Sequence, residues 1–310
     1  ACSSGTAVTL DTVDGTGYYP SVAIGADGLA LITYHNSNYG YLKVLHCANV
    51  ACSSSVLGTR DSAGDVGEYT SVTIGADGLA LISYFDHTLG DLKVFHCDNI
   101  VCTSGTATTL DSAGVVGYFT SITMGADGLG LISYYDETNA TLKVFHCNNA
   151  VCNSGTATTL DNAGSGANVT AITLGADGLG LISYTDNTYA DLKVFHCDNT
   201  DCTSGIATTA DSVGDVGYFS SITIGMDGMG LVSYLDFTNY DLKMFHCASA
   251  SCNVGTAATL DSAGVVGYYT SATLGVDGLA LISYYDGSTG DLKVFHCSSV
   301  TCAPYTRVGR

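Results

Sequence analysis

The sequence of 310 residues has no tryptophan, only two prolines and few positive charges. Nine lysines and arginines stand against 29 aspartates and glutamates, which gives a formal net charge of -20. Nucleic acid needs a basic surface on its partner, so this balance argues against nucleic-acid binding and against docking on anionic membranes. No apolar run reaches the roughly 18 residues of a membrane-spanning helix, which argues against membrane insertion.

Internal repetition is what the sequence has in abundance. The stretch 121–147, SITMGADGLGLISYYDETNATLKVFHC, recurs six times at a spacing of fifty residues, without insertion or deletion. A period of this length indicates supersecondary units that cannot bury their own faces and must pack against one another. Glycine, threonine, serine and tyrosine are abundant, which favours short strands joined by tight turns.

Each copy contains four strand-like runs, which lie in the third copy at 118–125, 129–136, 141–147 and 155–161. The first, third and fourth runs alternate with a period of two, whereas the second is apolar on both faces, as in a strand between two layers. Every copy has Asp-Gly between its first two runs, which predicts a two-residue type I′ hairpin. We therefore predict an all-β, six-bladed β-propeller with four antiparallel strands per blade.

The ends of the chain bear on how the ring closes. The last blade has three predicted strands, whereas residues 3–11 form a strand with no blade before it. We predict that this N-terminal strand completes the last blade and closes the ring, although the tail could compete for the same place. The alternative is that a terminal strand completes the blade of a neighbouring molecule. The predicted blades span 18–61, 68–111, 118–161, 168–211, 218–261 and 268–302, followed by the tail 303–310.

Thirteen cysteines indicate an oxidising, extracellular or cell-surface location. Twelve lie in six His-Cys-x4-Cys motifs, which predict disulfides because a zinc site would need four convergent ligands. Cys2 and Cys302 compete for Cys297, so one thiol is left unpaired or forms an intermolecular bridge. The chain starts at Ala1 without a signal peptide, which we interpret as a mature or excerpted form. The predicted pairs are Cys47/Cys52, Cys97/Cys102, Cys147/Cys152, Cys197/Cys202, Cys247/Cys252 and Cys297/Cys302.

The consensus of the copies, TSITIGADGLALISYYD followed by GDLKVFHC, resembles the repeats of secreted bacterial and archaeal propellers of the Asp-box, sialidase-like kind. The resemblance covers nearly the whole chain and implies that 118–125 is an inner strand and 155–161 an outer one. The chain departs from that family at the Asp-box turn, where Cys147 and Cys152 stand and no tryptophan follows.

Catalytic signatures are scarce. A sialidase-like hydrolase places several arginines around the substrate carboxylate, but only Arg60, Arg307 and Arg310 occur here. Glu68 and Glu137 are the only glutamates, and no G-x-S-x-G motif is present. We therefore predict that the protein is not an enzyme.

Three polar residues recur in every copy. The histidine before each Cys-x4-Cys motif, such as His146, is interpreted as structural, packing between blades or bonding its hairpin. The aspartate of each Asp-Gly turn, such as Asp127, is interpreted as turn chemistry, and the alternative is an acidic ring that attracts Ca²⁺. Each lysine equivalent to Lys43 is expected to form a local ion pair with the aspartate that usually opens its strand. No other cofactor is expected.

The copies diverge at 13–18 and 35–41 and at the equivalent positions, which strand direction places on one rim. A rim rich in tyrosine, aspartate, asparagine and threonine resembles a glycan-contacting surface, and the alternative is neutral loop drift. Two N-glycosylation sequons begin at Asn139 and Asn168 in these loops. The candidate ligand residues are Tyr39, Asp86, Asp136, Tyr189, Asp236, Tyr240 and Asp286.

The surplus strand, the surplus cysteine and the missing active site favour a non-catalytic extracellular structural module. We expect it to be a cell-surface or filament-forming subunit that self-associates through its terminal strand or tail. The alternative is a lectin-like carbohydrate-binding propeller, and a degenerate glycosidase is a more distant one.

Overall fold

The structure of the protein is a computed structural model that describes residues 6–166 and 169–302. These residues form 23 strands and no helix, so the predicted all-β class is confirmed. Within the same ranges, no helix therefore has the length and apolar character to cross a membrane.

The chain divides into two compact units. The first, called the N-unit, comprises residues 4–161 and 200–202. It contains three antiparallel sheets, one for each of the first three copies, and the strands of each sheet follow chain order. The strands are β1 (Tyr18–Ile24), β2 (Ala30–Asn36), β3 (Tyr41–Cys47), β4 (Ser55–Asp61), β5 (Val66–Ile74), β6 (Ala80–Asp86), β7 (Asp91–Cys97), β8 (Gly105–Asp111), β9 (Val116–Met124), β10 (Gly130–Asp136), β11 (Thr141–Cys147) and β12 (Gly155–Asn162).

The second unit, called the C-unit, comprises the described residues 162–166, 169–199 and 203–302. It has two four-stranded sheets and a last sheet of three described strands, again in chain order. The strands are β13 (Thr170–Leu174), β14 (Gly180–Asp186), β15 (Asp191–Cys197), β16 (Gly205–Asp211), β17 (Val216–Ile224), β18 (Gly230–Asp236), β19 (Asp241–Cys247), β20 (Gly255–Asp261), β21 (Tyr268–Leu274), β22 (Ala280–Asp286) and β23 (Asp291–His296).

The segment predicted as an N-terminal strand, residues 3–11, differs from that prediction where it is described. Residues 6–11 have irregular backbone without a strand ladder, and the remainder lies outside the described residues. Leu10 packs against the cluster that contains Tyr34, and Asp11 accepts a hydrogen bond from the Tyr34 hydroxyl at 2.7 Å. Side-chain contacts to the first sheet thus hold this segment, and closure of the ring by it stays a prediction.

The Asp-Gly turns are three-residue loops, so the predicted two-residue type I′ hairpin is wrong. In the second copy, Gly75 N–H donates to the Leu79 carbonyl at 2.8 Å, and Gly78 N–H donates to the Gly75 carbonyl at 2.9 Å. Gly78 has a φ of 79°, whereas no aspartate of the described Asp-Gly turns has a positive φ. Asp77 Oδ1 instead accepts the Leu79 N–H at 3.0 Å. This is the loop in which a left-handed glycine follows a type I turn.

The predicted disulfides are present. Cys297 pairs with Cys302, which resolves the competition for Cys297, and Cys2 lies outside the described residues. Cys197 and Cys202 are disulfide-bonded. The other pairs are Cys47–Cys52, Cys97–Cys102, Cys147–Cys152 and Cys247–Cys252.

Consecutive sheets within a unit pack through apolar clusters. In the N-unit, Leu42 and Val44 of β3 share one buried cluster with Val72 of β5 and Tyr84 of β6. All seven residues of β6 are buried, as its apolar character on both faces predicts. Because full burial of one leucine or valine side chain contributes about 1.5–3 kcal/mol, these clusters are a main source of stability.

The buried carboxylate of Asp61, at the end of the outer strand β4, is bound by the following sheet. Asp61 of β4 accepts hydrogen bonds from the Tyr84 hydroxyl at 2.6 Å and from Lys93 Nζ at 2.7 Å. Burial alone would raise the pKa of Asp61, but these two hydrogen bonds, a third from the Ala63 N–H and the charge of Lys93 together hold that pKa below its usual value. Lys93 Nζ also lies 3.5 Å from Asp86 Oδ2. The predicted local ion pair, here with Asp91, is therefore wrong, because the main partner lies 32 residues earlier in the chain.

Asp91, which opens β7 and is not the main partner of Lys93, gives a stability prediction. Asp91 is buried, and burial together with the Asp86 carboxylate raises its pKa. A raised pKa penalises the folded state above the ordinary carboxyl pKa and has no effect once both states are protonated. We expect Asp91→Asn to stabilise the protein at pH 7 by about 0.5–1 kcal/mol, with the gain fading as the pH falls through about 4.

Urea unfolding of the native protein and the variant at both pH values measures this difference. The third copy carries Thr141 at the same position, so Asp91→Thr provides a second uncharged variant. A gain of equal size at neutral and acid pH would contradict an electrostatic origin.

Candidate functional site

The variable loops of the N-unit meet at one edge of its sheets. The His87 N–H donates to the Asp65 carbonyl at 2.8 Å, and the Asp65 N–H donates to Thr88 Oγ1 at 2.7 Å. We call the edge formed by residues 12–19, 36–41 and their equivalents in the second and third copies the variable rim of the N-unit.

The residues predicted to contact a ligand fall into two groups. Tyr39, Tyr189 and Tyr240 are exposed, with exposed fractions of 60, 74 and 36%. The aspartates are buried and hold loop backbone, as Asp86 does by accepting the Leu89 N–H at 3.0 Å. They shape the loops and do not face a ligand in solvent. The buried set is Asp86, Asp136, Asp236 and Asp286.

One of the two predicted sequons lies within the described residues. Asn139 is exposed, and its backbone N–H and Nδ2 donate to the Asp136 carboxylate at 2.9 and 3.0 Å. Asn168 lies outside the described residues. Glycosylation of both asparagines stays a prediction.

A β-bulge lies in the first strand of each N-unit sheet, close to the variable rim. In β5 the register shifts between Glu68 and Ser71, and Tyr69 within the bulge has a φ of 53°. Tyr19 and Phe119 occupy the equivalent positions, each with a φ of 50°. A left-handed backbone costs a residue with a side chain roughly 1–2 kcal/mol. Strain of this kind concentrates at functional sites, so the three bulges mark this rim as a candidate site.

The bulges bring aromatic rings together in what we call the aromatic cluster, formed by Tyr19, Tyr69, Phe85, Tyr118 and Phe119. The ring centroid of Tyr69 lies 4.4 Å from that of Tyr19 and 4.3 Å from that of Phe119. Phe85 is buried beneath and lies 4.2 Å from Tyr118, whereas Tyr19 is 39% exposed. The cluster therefore offers a continuous, partly exposed aromatic surface on a buried foundation. In the C-unit, Phe219 and Tyr269 occupy the same bulge position, 4.4 Å apart.

Carboxylates and an imidazole border the aromatic cluster. Glu68 Oε2 lies 3.4 Å from His87 Nδ1, with the Glu68 side chain 17% exposed and that of His87 55% exposed. Burial raises the pKa of the Tyr118 hydroxyl, and the carboxylates of Glu137 and Glu68 raise it further. The only two glutamates of the chain thus lie close enough to the Tyr118 hydroxyl to raise its pKa. Glu137 is exposed and Glu68 is half-buried, so their environments differ.

A buried histidine lies at the end of the same cluster. His35 is 2% exposed, and its ring centroid lies 6.4 Å from that of Tyr19. Its Nε2 lies 3.1 Å from Asp65 Oδ1, while its Nδ1 has no hydrogen-bond partner among the described residues. A buried polar atom of this kind is costly unless a ligand or solvent satisfies it, so His35 is a second feature that marks this rim as a candidate site.

The sequence analysis missed this arrangement, although the repeat carries a signal for it. Glu68 and His35 depart from the repeat, because the other copies have tyrosine or asparagine at the position of Glu68 and aromatic residues, threonine or leucine at the position of His35. His87 and Glu137 share one position, which holds a different residue in every copy. The structure brings all four to one rim of one unit. The departures from the repeat at Glu68 and His35 are therefore the sequence signal for this rim.

The opposite edge of each sheet carries the recurring histidines and turn aspartates, which prove to be partners. His96 Nε2 lies 2.9 Å from Asp77 Oδ2, and the same pair recurs in the other copies at 2.8–3.0 Å. The structural interpretation of the histidines is correct, but the hairpin they bond is the Asp-Gly turn. Both carboxylate oxygens of Asp77 have partners, and the expected attraction of Ca²⁺ by these aspartates stays a prediction.

No family model matches the chain, and no curated protein is significantly similar to it. Solved structures do share its fold. The α-L-arabinofuranosidase of Fusarium graminearum has a TM-score of 0.57 at 14% identity, over 93% of this chain and 95% of that one. A Hadza microbial sialidase has a TM-score of 0.59 at 11% identity, over 90% of this chain and 65% of that one. The hydrazine synthase of Kuenenia stuttgartiensis has a TM-score of 0.57 at 10% identity, over 90% and 79%.

Likeness at this identity shows the fold, so the predicted six-bladed β-propeller is confirmed. The resemblance to sialidase-like propellers is confirmed at the same level. The expectation of a non-catalytic structural or filament-forming subunit is wrong, because two of these three structures are glycosidases and none is a filament protein. The expected absence of enzymatic activity is not confirmed either, because the structural neighbours are mostly glycoside hydrolases.

Proposed function

We propose that the protein binds carbohydrate through the variable rim of the N-unit. The observation that carries this proposal is the aromatic cluster, held in strained bulges beside Glu68, His87 and Glu137. Sugar rings present C–H faces that pack on aromatic rings and hydroxyls that hydrogen-bond to carboxylates and imidazoles. Binding sites for small molecules combine these same two elements, a mostly aromatic lining and a few placed polar groups. The fold shared with an arabinofuranosidase and a sialidase supports the same ligand class.

The charge of the rim restricts the class of saccharide that can bind there. Residues 12–19, 36–41, 62–69, 86–91, 112–119 and 136–141 contain no lysine or arginine. The carboxylate of a sialic or uronic acid would meet Glu68 and Glu137 there without a cationic partner, and like charges disfavour binding. We therefore infer that the preferred ligand is a neutral or amino-bearing saccharide.

Hydrolysis of that saccharide is the second candidate function, because both glutamates act on Tyr118. Most glycoside hydrolases use a pair of carboxyl groups, one as acid and one as base or nucleophile. Glu68 is half-buried and Glu137 is exposed, so the rim offers one shielded and one solvated carboxyl group. Release of reducing ends from neutral polysaccharides, abolished in both Glu68→Gln and Glu137→Gln, is the result expected of an enzyme. Binding of the polysaccharide without release of reducing ends would show that the rim recognises saccharide and does not hydrolyse it.

The disulfides bear on where this binding takes place. Disulfides persist in oxidising compartments and are rare in the reducing cytosol. We infer that the protein works outside the cell or at its surface, where polysaccharides are also accessible.

Replacing Tyr69 tests the proposed rim. Asparagine tolerates a positive φ, so Tyr69→Asn removes the central ring of the cluster without disturbing the bulge. We expect affinity for a neutral glycan identified on an array to fall about tenfold, since one aromatic stacking partner is worth roughly 1–1.5 kcal/mol. Isothermal titration of the native protein and the variant measures this loss.

The matched control is Tyr269→Asn, which makes the same change at the same bulge position in the C-unit. Its affinity should stay within about twofold of native. Equal losses in both variants would contradict the assignment to the N-unit, and strong binding of sialylated glycans would contradict the charge argument.

A further inference from the structure

A cluster of three potential metal ligands, independent of the proposed function, lies at the opposite edge of the N-unit from the variable rim. We propose that Asp127, His146 and Asp201 bind one Zn²⁺ ion. His146 Nε2 lies 2.8 Å from Asp127 Oδ2 and 3.9 Å from Asp201 Oδ1. The three ligand atoms all lie within 4.8 Å of one another, and no other such group occurs in 6–166 and 169–302.

The spacing of these atoms suits a tetrahedral ion. Zn²⁺ binds nitrogen and carboxylate oxygen at about 2.0–2.1 Å, which separates neighbouring ligands by about 3.4 Å. The observed separations lie on both sides of that value, so small rotations of the two exposed aspartates would complete the geometry. Three protein ligands leave the fourth position to water.

The donor set selects the metal. Imidazole nitrogen suits zinc and the neighbouring transition metals, whereas Ca²⁺ and Mg²⁺ prefer oxygen ligands only. His146 is buried, with a side chain 8% exposed, and holds a fixed position against Asp127. Asp201 is 59% exposed, in the turn segment 200–202 that belongs to the N-unit. The buried imidazole thus provides a rigid ligand, and Asp201 approaches it from solvent.

Asp201 is what distinguishes this place from the other copies. Each copy has the histidine–aspartate pair, but the residue 55 positions after the histidine is an aspartate only after His146. At the second pair, Val151 lines a cavity beside His96 in the equivalent position. The other copies therefore offer two ligands, and the third copy offers three. The equivalents of Asp201 are Ala51, Val101, Val151, Ser251 and Thr301.

Replacing Asp201 by the residue of the neighbouring copy tests the site. Native protein and Asp201→Val, with free thiols alkylated, are dialysed against micromolar ZnCl₂ with millimolar Ca²⁺ and Mg²⁺, and bound zinc is measured by mass spectrometry. We expect one zinc per native chain and a loss of at least tenfold in affinity in the variant. Because Asp201 is an exposed turn residue, the circular dichroism spectrum of the Asp201→Val variant should match that of the native protein.

The reciprocal variant, Val151→Asp, places the third ligand beside His96 and Asp77, and we expect it to bind a second zinc. Zinc should also raise the melting temperature of the native protein and not that of Asp201→Val, because a ligand that binds only the folded state stabilises it. The proposal is overturned if the native chain binds no zinc, or if Asp201→Val binds zinc with native affinity.

Discussion

Replacing Gly67 with alanine should destabilise the protein by about 3–5 kcal/mol, the sum of overpacking and backbone strain. A Cβ on Gly67 would lie 2.7 Å from Leu42 Cα and 3.0 Å from Leu42 N, which is closer than real Cβ contacts come. The obstacle is backbone of β3, so no side-chain rotation relieves it, and β5 has to move away from the preceding sheet. Gly67 also has a φ of 97°, which L-residues with a side chain rarely adopt.

The first copy provides the matched control for this effect. Gly17 occupies the same position with a φ of 89°, but nothing lies within 4 Å of its Cβ position. Gly17→Ala should therefore cost only the backbone strain, about 1–2 kcal/mol. Urea unfolding of both variants separates the cost of overpacking from the cost of backbone strain. Equal losses of unfolding free energy would show that close approach to Leu42 contributes nothing.

The repeat made most of the fold predictable. A period of fifty residues sets the number of sheets, and period-two alternation places the strands to within a few residues. The disulfides were predictable as well, because Cys-x4-Cys between two strands brings the sulfurs together across one hairpin. These features are local or recur at fixed spacing, so a single sequence contains them.

Long-range partners were harder to predict. Lys93 was assigned to Asp91, two residues away, although its carboxylate partner Asp61 belongs to the preceding sheet. Asp86 was assigned to a ligand surface because its loop is variable, yet its side chain is buried under that loop. The Asp61 partner cannot be inferred from local spacing, because it depends on how consecutive sheets stack. The contact of Asp86 is local, but the variability of its loop gave no sign that this side chain is buried and holds the Leu89 N–H.

The candidate site was missed for a related reason. Alternation along β5 predicts which side chains share a face, but the bulge at Tyr69 inserts one extra residue and changes that assignment. The bulge has no sequence signature here, because its left-handed residue is aromatic where glycine or asparagine is expected. The rim was therefore identified as a candidate site only from backbone geometry together with the departures from the repeat.

Lys93→Met should cost about 3–5 kcal/mol, because it leaves the Asp61 carboxylate buried without its counter-ion. The Asp61 side chain is 6% exposed, and only uncharged donors, the Tyr84 hydroxyl and the Ala63 N–H, would remain among its described hydrogen-bond partners. The folded-state pKa of Asp61 lies below its usual value in the native protein, so its stabilisation is present above about pH 4 and is lost as the pH falls through that lowered pKa. The variant removes the main cause of the lowering, so its deficit should be full at pH 7 and shrink in acid.

The last sheet contains the same arrangement in a more exposed setting, which makes it the control. Lys293 Nζ lies 3.1 Å from Asp261 Oδ2, but its side chain is 34% exposed, against 10% for Lys93. Water can replace the lysine there, so Lys293→Met should cost much less than Lys93→Met. Adding Asp61→Asn to Lys93→Met should recover part of the loss, because the double variant no longer buries an unpaired charge. Urea titrations at pH 7 and pH 4 measure all three variants, and similar small losses in Lys93→Met and Lys293→Met would show that burial does not govern the strength of this contact.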